Sequence, residues 1–553
     1  MASNETDPID PIDRTDPTWW REAVVYQVYP RSFGDGNGDG VGDLTGLLAR
    51  LPRLRELGVD AIWISPWYRS PMADAGYDVA DYRDIDPLFG TLRDATTLLA
   101  AAHELGLRVI IDIVPNHCSD QHPWFRAALA AAPGSAERAR FHFRPGLGPG
   151  GAEPPNDWRS AFGGPAWTRV PAADGSPGEW YLHLFSAGQP DFNWEHPEVR
   201  AEFESILRFW LDRGVDGFRI DVANLLVKDP ALPSRAALPA DAPAPYVDRP
   251  QVHEVYRAWR RIADSYQSPR IFVGELWVGP ESLKQYLRPD ELHTAFNFAY
   301  LQAPWDAERL RAVIDESLVL HGSVGAPATW VIENHDVTRV VTRFGRAESG
   351  YAPEGVRVHH APVDLELGTR RARAAALLYL ALPGCAYLYQ GQELGLWEVE
   401  DIPLELRQDP TLVQSGGADP GRDGCRVPLP WAADEPGFGF GPRGAAAPWL
   451  PQPMEWKALA VDAQSGDPES MLELYRRALR IRKAEAALHG SGLLWIESDP
   501  RSLAFARGAD FACVVNFGSA PIPLPAHESV LLSSMPMTDG QLEPDTAAWL
   551  RPG

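Results

Sequence analysis

The stretch GFRIDVAN, residues 217–224, sets Arg219 and Asp221 two apart in a run that is otherwise mostly small or apolar. In a strand, alternate side chains share a face, so Arg219 and Asp221 are expected on one side and Phe218, Ile220 and Val222 on the other. A bare buried ion pair usually costs desolvation, so this pair asks for a use. Other short runs also end in polar groups: LRVIIDIVPNH in Asn116–His117, IFVGELW in Glu275, and TWVIENHD in His335–Asp336. If those runs are neighbouring strands of one barrel, Asp221, Glu275 and Asp336 converge, and converging carboxylates are costly unless their charge is used. Cleavage of a glycosidic bond uses such a set. One carboxylate attacks the anomeric carbon, and a second, held protonated, gives its proton to the leaving oxygen. Arg219 is expected to keep Asp221 ionised as the nucleophile. Apolar flanks and negative neighbours are expected to raise Glu275 and suit it to the acid role. His117 and His335 can hydrogen-bond hydroxyl groups without adding a fixed negative charge.

The elements that would position these groups follow from periodicity. Eight short β-like runs lie at 24–33, 59–67, 107–117, 215–223, 271–277, 294–300, 329–336 and 385–393. Helix-like stretches with apolar residues at helical spacing fall between them, among them DLTGLLARLPRLRELG and PEVRAEFESILRFWLDRG, each ending at Gly. The alternation predicts an α/β fold, a (β/α)₈ TIM barrel with its active site at the C-terminal strand ends. Residues 118–185 read as an inserted subdomain after the third strand and residues 491–553 as a C-terminal antiparallel β domain, leaving 1–117 and 186–490 as the catalytic barrel. A further Pro-, Asp- and Gly-rich insertion, 397–450, follows the eighth strand.

The 553 residues carry 51 − 75 = −24 formal charges, which argues against nucleic acid and anionic membranes and favours a small neutral ligand. Cys118, Cys385, Cys425 and Cys513 form neither a CxxC pair nor a dense disulfide framework. The acidic, Pro-rich start lacks the features of a signal peptide, and no apolar run is long enough to span a bilayer, so the expected location is cytoplasmic. In DGNGDGVGD, Asp35, Asn37, Asp39 and Asp43 alternate with other residues, and Val41 can offer its carbonyl. Oxygen ligands so spaced suit a hard cation such as Ca²⁺, although Gly46 stands where an EF-hand has its closing Glu; a solvated acidic turn is the alternative.

In the motifs DIVPNH, QPDFNW, GFRIDVAN, FVGELW and ENHDVTR the sequence resembles the α-amylase superfamily of glycoside hydrolases, and within it the α-glucosidase and oligo-1,6-glucosidase group. GYDVADYRDIDPLFGT, YLYQGQELG and GRDGCRVPLPW are similar to that group as well, and Phe192 is a departure where Leu is common. The resemblance implies Asp221 as nucleophile, Glu275 as acid/base and Asp336 as the carboxylate that distorts the sugar. It also implies Arg219, His117 and His335 around that sugar, Tyr77 stacked on it, and Asp78 paired with Arg426 across the pocket floor. The implied activity is a retaining, exo-acting α-glucosidase on short substrates such as maltose. It needs no organic cofactor, carries a structural Ca²⁺ in the 35–43 loop, and is a monomer or homo-oligomer. Oligo-1,6-glucosidase and α-glucoside transglycosylase or isomerase are the alternatives, with a non-catalytic binding relative a remote one.

Overall fold

The computed structural model describes residues 16–171, 177–351 and 361–553; most of the acidic N-terminal stretch weighed above lies outside them. Eight parallel strands form one sheet: β1 (Val24–Val28), β2 (Ala61–Ile64), β3 (Arg108–Ile113), β4 (Gly217–Ile220), β5 (Ile271–Gly274), β6 (Thr294–Ala295), β7 (Thr329–Val331) and β8 (Cys385–Tyr389). Their order is β6-β5-β4-β3-β2-β1-β8-β7. The hydroxyls of Thr294 on β6 and Thr329 on β7 meet across the remaining seam, which closes the barrel. The run expected as a strand over 294–300 ends after two residues, because Asn297 accepts from the Tyr300 N–H and starts a helix, Phe298–Gln302.

Alternation along each strand sorts the core. Val25, Ala61, Trp63, Ile110, Ile271, Val273, Val331 and Tyr387 fill the barrel interior. Their neighbours Val24, Tyr26, Ile62, Ile64, Val109, Ile111, Phe218, Ile220 and Phe272 pack outward against the helices. The helices start and stop where the sequence marks them. Asp43 caps Leu44–Leu57 through the Gly46 N–H, and Gly58 at φ +100° ends it. Thr91 and Asp94 form a reciprocal cap on Leu92–Glu104.

Between β3 and β4 the chain builds a separate layer, a three-stranded antiparallel sheet of Phe143–Arg144, Trp167–Pro171 and Pro177–Leu182. It has its own apolar cluster around Trp158, Trp167, Leu182 and Leu184. The C-terminal part is a five-stranded antiparallel sheet running from Leu494 to Arg551. Trp549 Nε1–H anchors it to the barrel by donating to the Leu377 carbonyl at 2.9 Å.

Candidate active site

A cavity of about 290 Å³ opens among the C-terminal strand ends, lined by Tyr77, His117, Asp221, Glu275 and Asp336. A larger one, about 520 Å³, lies at the N-terminal end beside Asp60 and Arg108. Charged groups around it pair with one another, Lys483 with Asp60 and His489 with Glu22, so the chemistry belongs to the first.

Arg219 is the hub. Its Nη1 donates to Asp112 Oδ1 at 2.7 Å and to Asp221 Oδ1 at 2.9 Å, and its Nη2 donates to Glu275 Oε2 at 2.7 Å. Asp112 stands directly opposite Arg219 where β3 and β4 pair. Burial pushes the Asp112 carboxyl up to about 6 against the pull of Arg219. Burial likewise pushes Asp221 well above the usual carboxylate range, and Arg219 only partly offsets it. Arg219, expected to keep Asp221 ionised, is shared here among three carboxyl groups and works against the desolvation of this one.

Val222 also departs from simple alternation. Strand β4 ends at Ile220, and Val222 sits at φ +37°, a region that β-branched residues rarely adopt. The turn swings its side chain into the cavity rather than outward with Phe218 and Ile220. It also aims the Val222 N–H at Glu275 Oε2, 3.0 Å away, so the strained turn and Glu275 hold each other.

On the opposite wall, the Tyr77 ring lies parallel to His335, with centroids 5.4 Å apart and planes within 4°. The Tyr77 hydroxyl donates to Asp112 Oδ2 at 3.2 Å and lies 2.7 Å from His335 Nε2. His335 Nδ1 meets the Gln27 side-chain amide at 2.6 Å. Burial lowers His335 to about 3 and His117 to about 4, so both are neutral at pH 7. His335, Arg219 and Arg426 are almost fully buried and back the wall of the cavity rather than line it.

The far end is closed by a different pair from the one expected. Asp78 spends its carboxylate on its own loop, accepting from Ser70 Oγ at 2.8 Å and from the Ala73 and Asp74 N–H groups. Asp74 makes the crossing instead, with Arg422 Nη2 2.7 Å from its Oδ1. Arg422 also reaches Asp336 Oδ1 at 3.0 Å and Asp409. Arg426 donates to Asp336 Oδ1 at 2.9 Å and to the His335 carbonyl at 2.8 Å. The cause is local. Ala75 at φ +53° and Gly76 at φ +105° turn Asp74 and Tyr77 inward, while Asp78 is drawn back to cap the same turn. Burial would raise Asp336, but His335, Arg422 and Arg426 override it and hold it well below the usual range.

Four side chains not among the expected site residues complete the site. Asp112 was inside the DIVPNH motif, and two-residue alternation from Val114 and Asn116 was the available signal. Phe162 and Phe185, from the layer between β3 and β4, and Trp277, two residues past Glu275, form an aromatic rim. No local pattern marks them.

In the 35–43 loop, Asp35 accepts from the Gly38 and Gly40 N–H groups, and Asp43 from those of Gly36, Asn37 and Gly46. The donor set is all oxygen, as a hard cation requires, but these carboxylates face backbone amides. Among the described residues no three acidic, His or Cys side chains converge in a metal-binding group.

A parallel barrel with carboxylates on three strand ends, two of them forked by one guanidinium, defines a barrel hydrolase of glycosidic bonds. Residues 27–491 match the family model "Alpha amylase, catalytic domain", and the chain belongs to this alpha-amylase family of glycoside hydrolases. It is 40% identical over 529 residues to a probable alpha-glucosidase of Rhizobium meliloti, covering 92% of this chain and 90% of that one. It is 36% identical to an oligo-1,6-glucosidase of Parageobacillus thermoglucosidasius, with 88% of each covered. Its structure is similar to that of an alpha-glucosyl transfer enzyme, XgtA, at TM-score 0.81 and 35% identity, covering 97% of this chain and 99% of that one. No helix among the described residues is long and apolar enough to cross a membrane.

Proposed function

We propose that the protein is a retaining, exo-acting α-glucosidase that releases the terminal non-reducing glucose of short α-glucosides such as maltose. The observation that carries this reading is the closed end of the pocket, where Arg422 joins Asp74 and Asp336. A bidentate guanidinium is rigid and directional, so it leaves no room for a second sugar and offers groups that only a chain end can satisfy.

In the proposed cycle Asp221 attacks the anomeric carbon as that carbon's bond to the leaving oxygen breaks. Glu275 gives its proton to that oxygen. Water then attacks the glucosyl ester, returns a proton to Glu275 and frees Asp221. A buried carboxylate, in a site that disfavours its charge, gains by forming a neutral ester, which the burial of Asp221 supports. Arg219, touching both carboxyl groups, keeps them close enough to act on one bond. Asp336, held ionised, accepts from sugar hydroxyls.

The similarity to an alpha-glucosyl transfer enzyme favours a second reading, in which a sugar rather than water receives the glucosyl group. A panel of maltose, isomaltose, sucrose, trehalose and starch tests both. Free glucose from maltose with retained anomeric configuration is the expected result, and longer fragments appearing first from starch would sink the closed-pocket reading. A cytoplasmic location is part of the proposal, supported by four buried cysteines that form no disulfide. So is a structural Ca²⁺ in the 35–43 loop, for which the oxygen-donor chemistry is the support.

A further inference from the structure

We propose that Trp277 walls the leaving-group side of the pocket and positions Glu275 there, an inference that rests on the glucosidase reading above. The two oxygens of Glu275 are treated differently. Oε2 accepts from Arg219 Nη2 and from the Val222 N–H. Oε1 accepts from the Trp277 indole N–H at 3.1 Å. The oxygen with a lone pair to spare for a transferable proton is therefore Oε1, and the departing oxygen must approach it. Trp277 stands at that approach.

The indole is fixed in place. Its lower face stacks on Phe298 at 3.7 Å between centroids, with planes within 4°. Its backbone N–H donates to Asn224 Oδ1 in the turn after β4 at 3.4 Å, and in the same turn the Ala223 N–H donates to the Glu275 carbonyl at 2.9 Å. Phe298 is 8% exposed and Trp277 37%, so the outward surface of this aromatic pair is open to the cavity mouth. The pocket is thereby two-sided in chemistry. Asp74, Arg422, Asp336 and His117 offer polar groups to the bound glucosyl unit, and Trp277 offers a flat apolar surface to whatever leaves. The leaving groups it fits are those with an apolar ring face, a second pyranose or an aryl alcohol.

Trp277→Phe keeps a ring on Phe298 and deletes the N–H; Trp277→Leu deletes both. α-Glucosyl fluoride is the control substrate, because fluoride departs without a proton and carries no ring. With Trp277→Leu, kcat/KM on maltose is expected to fall roughly 10–100-fold, the scale of one hydrogen bond to a charged group plus a lost stack. The kcat/KM for the fluoride, which reports only the first chemical step, should stay within about twofold, the scale at which no transition-state contact has been lost. With Trp277→Phe, KM for maltose should hold within about threefold while kcat falls about tenfold, which separates positioning from stacking. Equal losses of kcat/KM on maltose and fluoride would mean a merely structural role and overturn the inference, as would full activity of Trp277→Leu on maltose. A native enzyme that turns over neither substrate would fail the glucosidase reading itself, and this inference with it.

Discussion

One guanidinium serves three carboxylates in this site, and that economy sets how single residues should respond to change. Asp112, Asp221 and Glu275 all touch Arg219. Asp221→Asn keeps the shape and one hydrogen-bond acceptor, so the fold should survive. Turnover of maltose should drop by at least about 10³-fold, the scale of removing a covalent nucleophile; near-normal turnover would refute the assignment. The two candidate pocket-closing pairs separate just as cleanly. Arg422→Ala leaves Asp74, Asp336 and Asp409 facing one another, and losing one partner of a buried charged contact costs about 2–5 kcal/mol. The kcat/KM for maltose should therefore fall at least about 30-fold, following the same energy scale. Asp78→Asn, which touches only its own loop, should change kcat/KM less than about tenfold. The reverse ranking would reinstate Asp78.

At the level of elements, the site depends on a buried cation that never reaches the cavity. Lys228 Nζ donates to Asn116 Oδ1 at 2.6 Å and to the Leu225 carbonyl at 2.8 Å, and it pairs with Asp191 at 2.8 Å. Asp191 in turn accepts from the Leu184 N–H at 2.9 Å. One ammonium thus ties together the end of β3, the exit of the layer that supplies Phe162 and Phe185, and the loop after β4 that supplies Leu225. Lys228→Met keeps the length and removes the charge, leaving Asp191 buried and uncompensated. Breaking such a pair costs about 3–5 kcal/mol, which a shift of the urea midpoint at unchanged slope would register. An unshifted midpoint would mean that this junction is held by its apolar contacts alone.

Across the whole molecule, buried histidines and carboxyls shape the response to acid. Burial lowers His117, His122 and His321 to about 4 and His335 to about 3, and it lowers His142, His183 and His293 too. Below about pH 6.5 the unfolded chain takes up protons that these folded imidazoles refuse, so their stabilisation is whole above that pH and is lost as pH falls. Burial raises Asp78 and Asp112 to about 6 and Glu393 to about 7, and it raises Asp43, Asp74, Asp221 and Glu333 too, so these seven oppose the trend as pH falls. Seven carboxyls thus stand against seven histidines, and the carboxyls held low decide the acid limit: His335, Arg422 and Arg426 keep Asp336, and Arg422 and Arg426 keep Asp409, well below the usual range, so their stabilisation is whole above about pH 4 and is lost as pH falls further. The melting temperature should fall from about pH 4 to about pH 2, across the range where an unfolded aspartate takes up its proton; a flat profile there would contradict this balance. The 35–43 loop bears on stability as well, since Asp35 N–H donates to the Phe440 carbonyl at 2.9 Å and Trp449 N–H to that of Gly40 at 2.9 Å. These contacts fix the insertion that carries Arg422. A cation held there should raise the melting temperature when Ca²⁺ is added and lower it with chelator, and indifference to both would remove the proposed ion.

Much of this was written locally. Period-two and period-3.6 patterns fixed where strands and helices fall, because a side chain's face follows from its position in the repeat. Polar groups at successive strand ends pointed to one carboxylate-lined site, because parallel strands of a barrel bring their ends to one rim. Local pattern failed where long-range packing decides. GYDVADY has Asp residues at 78 and 81 with Asp74 just before it, and GRDGCRVPLPW has Arg422 and Arg426. Their spacing is silent on which carboxylate crosses to which guanidinium; the left-handed turn at Ala75 and Gly76 chose Asp74 and Arg422. Alternation sent Val222 outward, but its N–H contact with Glu275, 53 residues away, turned it in. TAFNFAY reads as a strand, but Asn297 caps a helix within it, with its Nδ2–H donating to Ser317 Oγ at 2.8 Å. The aromatic rim of Phe162, Phe185 and Trp277 comes from two segments more than 90 residues apart, and only the tertiary fold, by docking an inserted layer over the barrel mouth, makes them neighbours of one cavity.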